Sequence, residues 1–183
     1  MFGKLPSRGD FLNRGLEAAA AEAWDAWFSA QLDAAKMRLG EAFAATHDAA
    51  PTWRFVDSPG LFGAGWRAGA FAPSIDSAGR RFFVMAAADR LDAADATRGP
   101  AVAQAMEDVI YEAFEKGWDA DGIILRGGEV MREFVGEARA GETAPLTCWE
   151  TSGGQTLPPS TFSDRPVDVI GRLSSDLKWE AAQ

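Results

Sequence analysis

The sequence predicts an α+β fold: a mainly antiparallel central sheet covered by helices on both faces, in a single domain over residues 1–183. Three observations lead there. Residues 53–88 read as three strands joined by turns rich in proline and glycine. Two of these strands, 66–72 and 82–88, have almost no polar side apart from Arg67, and strands of that kind are covered on both faces. The helical stretches stand before and after this meander, too far apart for a doubly wound parallel sheet.

Taken in order, the chain opens on Gly3-Lys4-Leu5-Pro6-Ser7-Arg8-Gly9-Asp10-Phe11, whose glycines and proline make it extended or turning, with Asp10 placed to cap the element after it. Residues 16–39 are rich in alanine, and Trp24, Trp27, Phe28, Leu32, Ala35 and Leu39 recur at three- and four-residue steps, which is one face of a helix. Gly40 interrupts it, and a short second helix over 41–46 precedes Pro51. Trp53 and Phe55 share one face of the first strand, and the glycines at 60, 63 and 65 make a flexible connection to the second. Trp53, Phe55, Trp66, Phe71, Phe82 and Phe83 are the expected aromatic core. A helix over 100–116 begins at a proline suited to the first turn and is stopped by Gly117. Residues 119–126 fit strand or helix equally, Gly127-Gly128 is expected to break them, and helical spacing resumes over 129–140. A strand over 146–151, a hairpin turn at 152–154 into 155–157, and a weakly helical stretch at 164–177 complete the reading.

Composition excludes several activities. The 183 residues can bury a substantial core, and 47% hydrophobic with 25% charged residues is ordinary for a soluble globular protein. Lys+Arg 18 against Asp+Glu 27 gives a net charge of -9 and a pI near 4.6, a field that repels polyphosphate, so nucleic acid is not an expected partner. One cysteine excludes an internal disulfide and points to a reducing compartment. The first ten residues lack the apolar core of a signal peptide and no later run is long enough to span a bilayer, so a cytoplasmic location is expected.

The chemistry-bearing residues are sparse. His47, the only histidine, stands beside Asp48 near a helix end, where a surface or capping role is expected; no G-x-S-x-G elbow accompanies it. Cys148, between Thr147 and Trp149 in a strand, reads as a small buried hydrophobe. No C-x-x-C or H-E-x-x-H is present, and Asp119-x-Asp121 lacks the other ligands of a calcium loop, so neither metal nor cofactor is expected. Residues 60–65 lack the Lys-Ser/Thr ending of a phosphate-binding loop. Arg8-Gly9-Asp10 spells an adhesion tripeptide too short to be specific. Two polar constellations remain: Ser7, Arg8 and Asp10 in the opening turn, and Ser74, Asp76 and Arg80 (with Arg81) at the hairpin between the second and third strands. One reading makes them turn residues, with Gly79 at positive φ; the other makes them a recognition surface on a rigid hairpin.

These same stretches resemble the TagF (ImpM) family of type VI secretion accessory proteins. The resemblance rests on residues 3–11 with Arg14, on Trp24-Asp25-Ala26-Trp27, on Pro51-Thr52-Trp53-Arg54-Phe55, and on Pro59-Gly60 with the hairpin Pro73-Ser74-Ile75-Asp76-Ser77-Ala78-Gly79-Arg80. It covers the first half of the chain. The second half departs from the pattern, with Cys148-Trp149 in place of a Trp-Trp pair and no proline after Phe82-Phe83. The resemblance implies a non-enzymatic regulator that represses type VI secretion after translation by binding a protein, with the FHA-domain scaffold of the system as the implied partner. A small hydrolase or phosphatase with an unrecognised site, for which His47 is the one available base, and a constitutive structural subunit of the secretion assembly are the competing readings.

Overall fold

The computed structural model describes residues 1–7, 9–59, 65–91, 98–134 and 148–151. Among these residues six strands form one sheet: β1 (Phe2–Gly3), β2 (Leu12–Asn13), β3 (Trp53–Asp57), β4 (Trp66–Ile75), β5 (Arg81–Leu91) and β6 (Cys148–Thr151). Their order across the sheet is β2-β1-β5-β4-β3-β6, and each neighbouring pair is antiparallel. The helices are α1 (Ala18–Leu39), α2 (Phe43–Asp48), α3 (Gly99–Lys116) and α4 (Ala120–Phe134). The expected fold class holds: β4 and β5, the two strands without a polar side, are the two at the centre, and helices pack over both faces.

The two faces are chemically different, and the difference arises from a period-two alternation of size rather than polarity. Trp53 and Phe55 of β3, Phe71 of β4, and Phe83 and Met85 of β5 point to one face, where they meet Trp24, Trp27, Phe28, Leu32 and Ala35 of α1. The intervening positions, Val56, Ala68, Ala70, Ala72, Val84, Ala86 and Ala88, point to the other, where Val102, Met106, Val109 and Ile110 of α3 lie close to the sheet. Small residues on that face let α3 approach the sheet. Aromatic residues on the opposite face fill the wider gap under α1. Phe28 is fully buried at the middle of this aromatic layer, 4.8 Å from Phe83 and 5.2 Å from both Trp24 and Phe71, ring centroid to centroid. Phe82 breaks the alternation and joins the aromatic side, against Phe11 and Phe28. Trp66 is only partly buried and packs against the α3 side, so it stands outside the expected aromatic core.

Three local expectations are corrected. Asp10 is exposed and caps nothing: β2 intervenes, and α1 starts from Glu17, whose extended backbone precedes the first turn with no side-chain cap. Of residues 119–126 all but Asp119 are helical, and Gly127-Gly128 does not break them; α4 runs unbroken from Ala120 to Phe134. Asp119 accepts the Gly122 N–H at 3.0 Å to start that helix, and Ile123 and Val130 bury against α3 and the sheet. That packing outweighs the roughly 1 kcal/mol that each glycine costs inside a helix. His47 is the third correction: it is completely buried rather than at the surface, with Nε2 2.9 Å from the Phe82 carbonyl oxygen and Nδ1 3.1 Å from Asp48 Oδ1. The expected connection at 60–64, the continuation of helical spacing past 134, the turn at 152–154 with the strand after it, and the stretch at 164–177 lie outside the described residues, as does the Cys148 side chain.

Phe28→Ala should lower unfolding free energy by about 3–5 kcal/mol in urea titrations, because it empties the centre of the aromatic layer. Met37→Ala, on the outer side of α1 at 88% exposure, should stay within about 0.5 kcal/mol of the parent.

Candidate functional site

The opening segment and the hairpin are far apart in sequence and meet in the structure through Lys4 and Gly9, not through Ser7 or Asp10. β1 pairs with β5 through Phe2↔Met85 and Gly3↔Val84, and the Lys4 N–H donates to the Phe83 carbonyl at 3.0 Å. Gly3 has φ +113°, and a Cβ there would stand 2.1 Å from the Phe83 oxygen, so this close approach requires glycine. From that anchor the opening segment crosses the end of the β4–β5 hairpin. Ser74 Oγ donates to the Lys4 carbonyl at 2.8 Å, and the Lys4 ammonium reaches Asp76 Oδ2 at 2.9 Å.

Asp76 is the node. Its side chain is wholly enclosed, and its two oxygens receive four donors. Oδ1 accepts the N–H groups of Ala78 at 3.0 Å and Arg80 at 2.9 Å. Oδ2 accepts Lys4 Nζ and, at 2.7 Å, Arg80 Nε. The turn closes with Gly79, φ +78°, donating to the Asp76 carbonyl at 2.9 Å. Burial of the carboxyl opposes its ionisation. The Lys4 ammonium, the Arg80 backbone and guanidinium, and the Ala78 N–H together outweigh it and hold Asp76 well below the usual carboxylate range. Arg80 is then clamped from its other side, where Nη2 donates to the Gly9 carbonyl at 2.7 Å, while 63% of its side chain remains exposed. Pro73 fits this strand because the Phe83 carbonyl opposite it already faces Lys4. The Pro73↔Phe83 pair therefore carries no ladder hydrogen bond that a missing N–H would remove.

Ser74 and Asp76 are buried and act through what they hold; Arg80 is displayed. Ser7 is exposed, with Oγ 3.5 Å from the Trp118 carbonyl, and Asp10 is exposed near Arg14 and Asp121. Arg8 lies outside the described residues. Two exposed apolar residues whose exposure the sequence does not announce flank this junction, Phe11 at 41% and Ile75 at 40%. Ile75 borders a cleft of about 200 Å³ whose other walls are Pro6, Pro73, Phe114 and the buried His47, with Asp48 at its rim. Asp48 is held low by two bonds from Arg81, at 2.8 and 2.6 Å. The larger groove between α3 and α4, about 590 Å³, is rimmed by Glu112, Lys116, Arg126 and Glu129, which pair with one another. Among the described residues no group of three or more potential ligands could hold a metal ion, and no helix is long and apolar enough to cross a membrane.

The geometry has two measurable consequences. Asp76 has its folded pKa below the unfolded value of about 3.9, so its stabilisation is present above about pH 4 and is lost as pH falls further. Urea titrations across that acid range should show a steep loss in the parent and a shallower one in Asp76→Asn, which should also start lower at pH 7. His47→Ala should cost about 1–3 kcal/mol, since it leaves the buried Phe82 carbonyl without its ring partner. Thermal melts would register that loss.

Comparison with known proteins bears on the same region. A family model described as the TagF N-terminal domain, type VI secretion system-associated, matches residues 1–124. Among solved structures, PA0076 from Pseudomonas aeruginosa PAO1 superposes with a TM-score of 0.59 at 27% identity, over 82% of this chain and 69% of that one. None of the curated proteins compared matches the sequence. Gly3, Asp76 and Arg80, the anchor and both partners of the central ion pair, all fall inside the matched span of 1–124. The chain belongs to the TagF N-terminal domain family of type VI secretion system-associated proteins.

Proposed function

We propose that this chain is a cytoplasmic, non-enzymatic regulator that represses type VI secretion after translation by binding another protein, with the FHA-domain scaffold of the system as its partner. Family membership supports the secretion context. The observation that carries the binding reading is the Lys4–Asp76–Arg80–Gly9 junction, which fixes an exposed guanidinium at the end of the central hairpin. Such a platform suits recognition, since its orientation is set before a partner arrives and little side-chain freedom is left to lose on binding. The hydrolase alternative is disfavoured by His47, whose buried ring has both nitrogens engaged, one with the Phe82 carbonyl and one with Asp48.

Deletion of the gene should raise secretion of type VI effectors into the medium; a fall to zero would instead support a constitutive structural subunit. A pull-down on the FHA scaffold should recover the parent and lose the Asp76→Ala/Arg80→Ala double variant. Equal recovery of both would remove the hairpin as the interface.

A further inference from the structure

We infer that the His47 ring carries a proton on both nitrogens, so that a buried imidazolium, Asp48 and Arg81 form one ionic cluster that fastens the short helix α2 to β5 and loosens as pH rises. The cluster shares no residue with the Asp76 junction.

The two oxygens that the ring faces decide its state. Nε2 stands 2.9 Å from the Phe82 carbonyl oxygen, and Nδ1 stands 3.1 Å from Asp48 Oδ1. A carbonyl oxygen only accepts, and so does an ionised carboxylate. Asp48 is ionised: Arg81 donates to both its oxygens, at 2.8 and 2.6 Å, and with His47 holds it below the usual carboxylate range, although desolvation opposes this. A neutral imidazole has one N–H and one lone pair. Either neutral tautomer would therefore set a nitrogen lone pair against an oxygen lone pair at hydrogen-bond distance. Complete burial of His47 keeps solvent from relieving that contact. Only the doubly protonated ring donates to both partners.

The charges around the ring are few. Asp48, on α2 itself, favours the second proton, and Arg81, on β5, opposes it while bound to Asp48. From α1, Lys36 lies over the Phe43 ring, and Phe43 in turn packs against the imidazole at 5.7 Å between centroids. The other described neighbours, Phe83 and the residues of the adjoining cleft (Pro6, Pro73, Ser74, Ile75 and Phe114), are uncharged. The buried cation is thus compensated by an ionic hydrogen bond on one side and a carbonyl on the other. Asp48 is the last residue of α2 and Arg81 the first of β5, so the cluster ties a helix of six residues, too short to be stable by itself, to a central strand. Loss of the proton removes one of the two ring bonds and the charge that pairs with Asp48. In the unfolded chain a histidine takes up its second proton only below about pH 6.5, so around neutral pH the folded protein binds more protons than the unfolded chain. The contribution of the cluster is therefore full below that value and is lost as pH rises.

His47 is the only histidine, so isotope-labelled protein made without a histidine tag gives a single set of ring signals. At about pH 7, long-range proton–nitrogen NMR spectra should place both ring nitrogens in the protonated range; one nitrogen in the unprotonated range overturns the inference. Asp48→Asn offers the ring an amide N–H in place of a carboxylate, and there Nδ1 should move to the unprotonated range at the same pH. Hydrogen exchange reads the fastening itself. The Ala49 and Ala50 amides bond back to the Ala45 and His47 carbonyls at the end of α2. Their protection, corrected for the intrinsic pH dependence of exchange, should fall about tenfold between about pH 6 and about pH 9 in the parent, and much less in Asp48→Asn. An equal fall in both proteins overturns the role of the cluster. Where Asp48→Asn melts early, the parent decides alone: the ring signals and these two amides should change with one common midpoint, and separate midpoints count against the coupling.

Discussion

The candidate site depends on one enclosed carboxylate. Asp76 accepts four donors, two from its own turn and two from cationic side chains, and one of those cations lies 72 residues away in sequence. An isolated buried carboxylate would be costly; with every oxygen engaged and two positive partners it becomes the junction through which the opening segment is fastened to the central hairpin. Without it, Lys4 and Arg80 would be two like charges facing each other, and Arg80 would lose the bond that fixes its direction. The display of Arg80 to solvent is thus a consequence of Asp76 being hidden from it.

The hairpin can serve as a platform because of the sheet beneath it. β4 and β5 are the longest strands described and lie at the centre of the sheet, covered on one side by the aromatic layer and on the other by α3 and α4. Their shared end carries exposed side chains, Ile75 and Arg80 among them. Among the described residues the outermost strands are short, β2 of two residues and β6 of four.

Much of the site is legible in its parts but not in its assembly. Residues 3–11 and 73–80 both stand out in sequence, through turn chemistry and through resemblance to a family, yet nothing in a linear pattern says that Lys4 reaches Asp76 or that Arg80 reaches Gly9. Antiparallel pairing of β1 with β5 makes that contact, and two residues of strand are too short to carry a periodicity. The burial of His47 is hidden from the sequence for a related reason. Its neighbours in the chain are those of a surface helix end, and only the packing of α2 against β5 encloses the ring and brings it to the Phe82 carbonyl. Phe11 and Ile75 fall within the stretches that resemble the family, but nothing in the sequence marks their exposure, since single exposed apolar residues are common and gain meaning only from what stands beside them.

The class of the fold and its centre follow from the order of the residues. The absence of a polar side on β4 and β5 required cover on both faces, and the spacing of Trp24, Trp27, Phe28 and Leu32 supplied a helix to provide one of them. A subtler signal lies in side-chain volume: Phe71 between Ala70 and Ala72, and Phe83, Val84, Met85, Ala86 in succession, alternate in size and so divide the two faces, a pattern that polarity alone does not reveal. Tertiary structure alone decided which helix takes which face, that α4 continues through two glycines, and that an acid in a turn and a lysine near the chain start form one ion pair. Each of these turns on burial against a distant element. Local preference amounts to about 1 kcal/mol per residue at most, while packing a helix face or enclosing a charge involves several, so the distant contacts prevail.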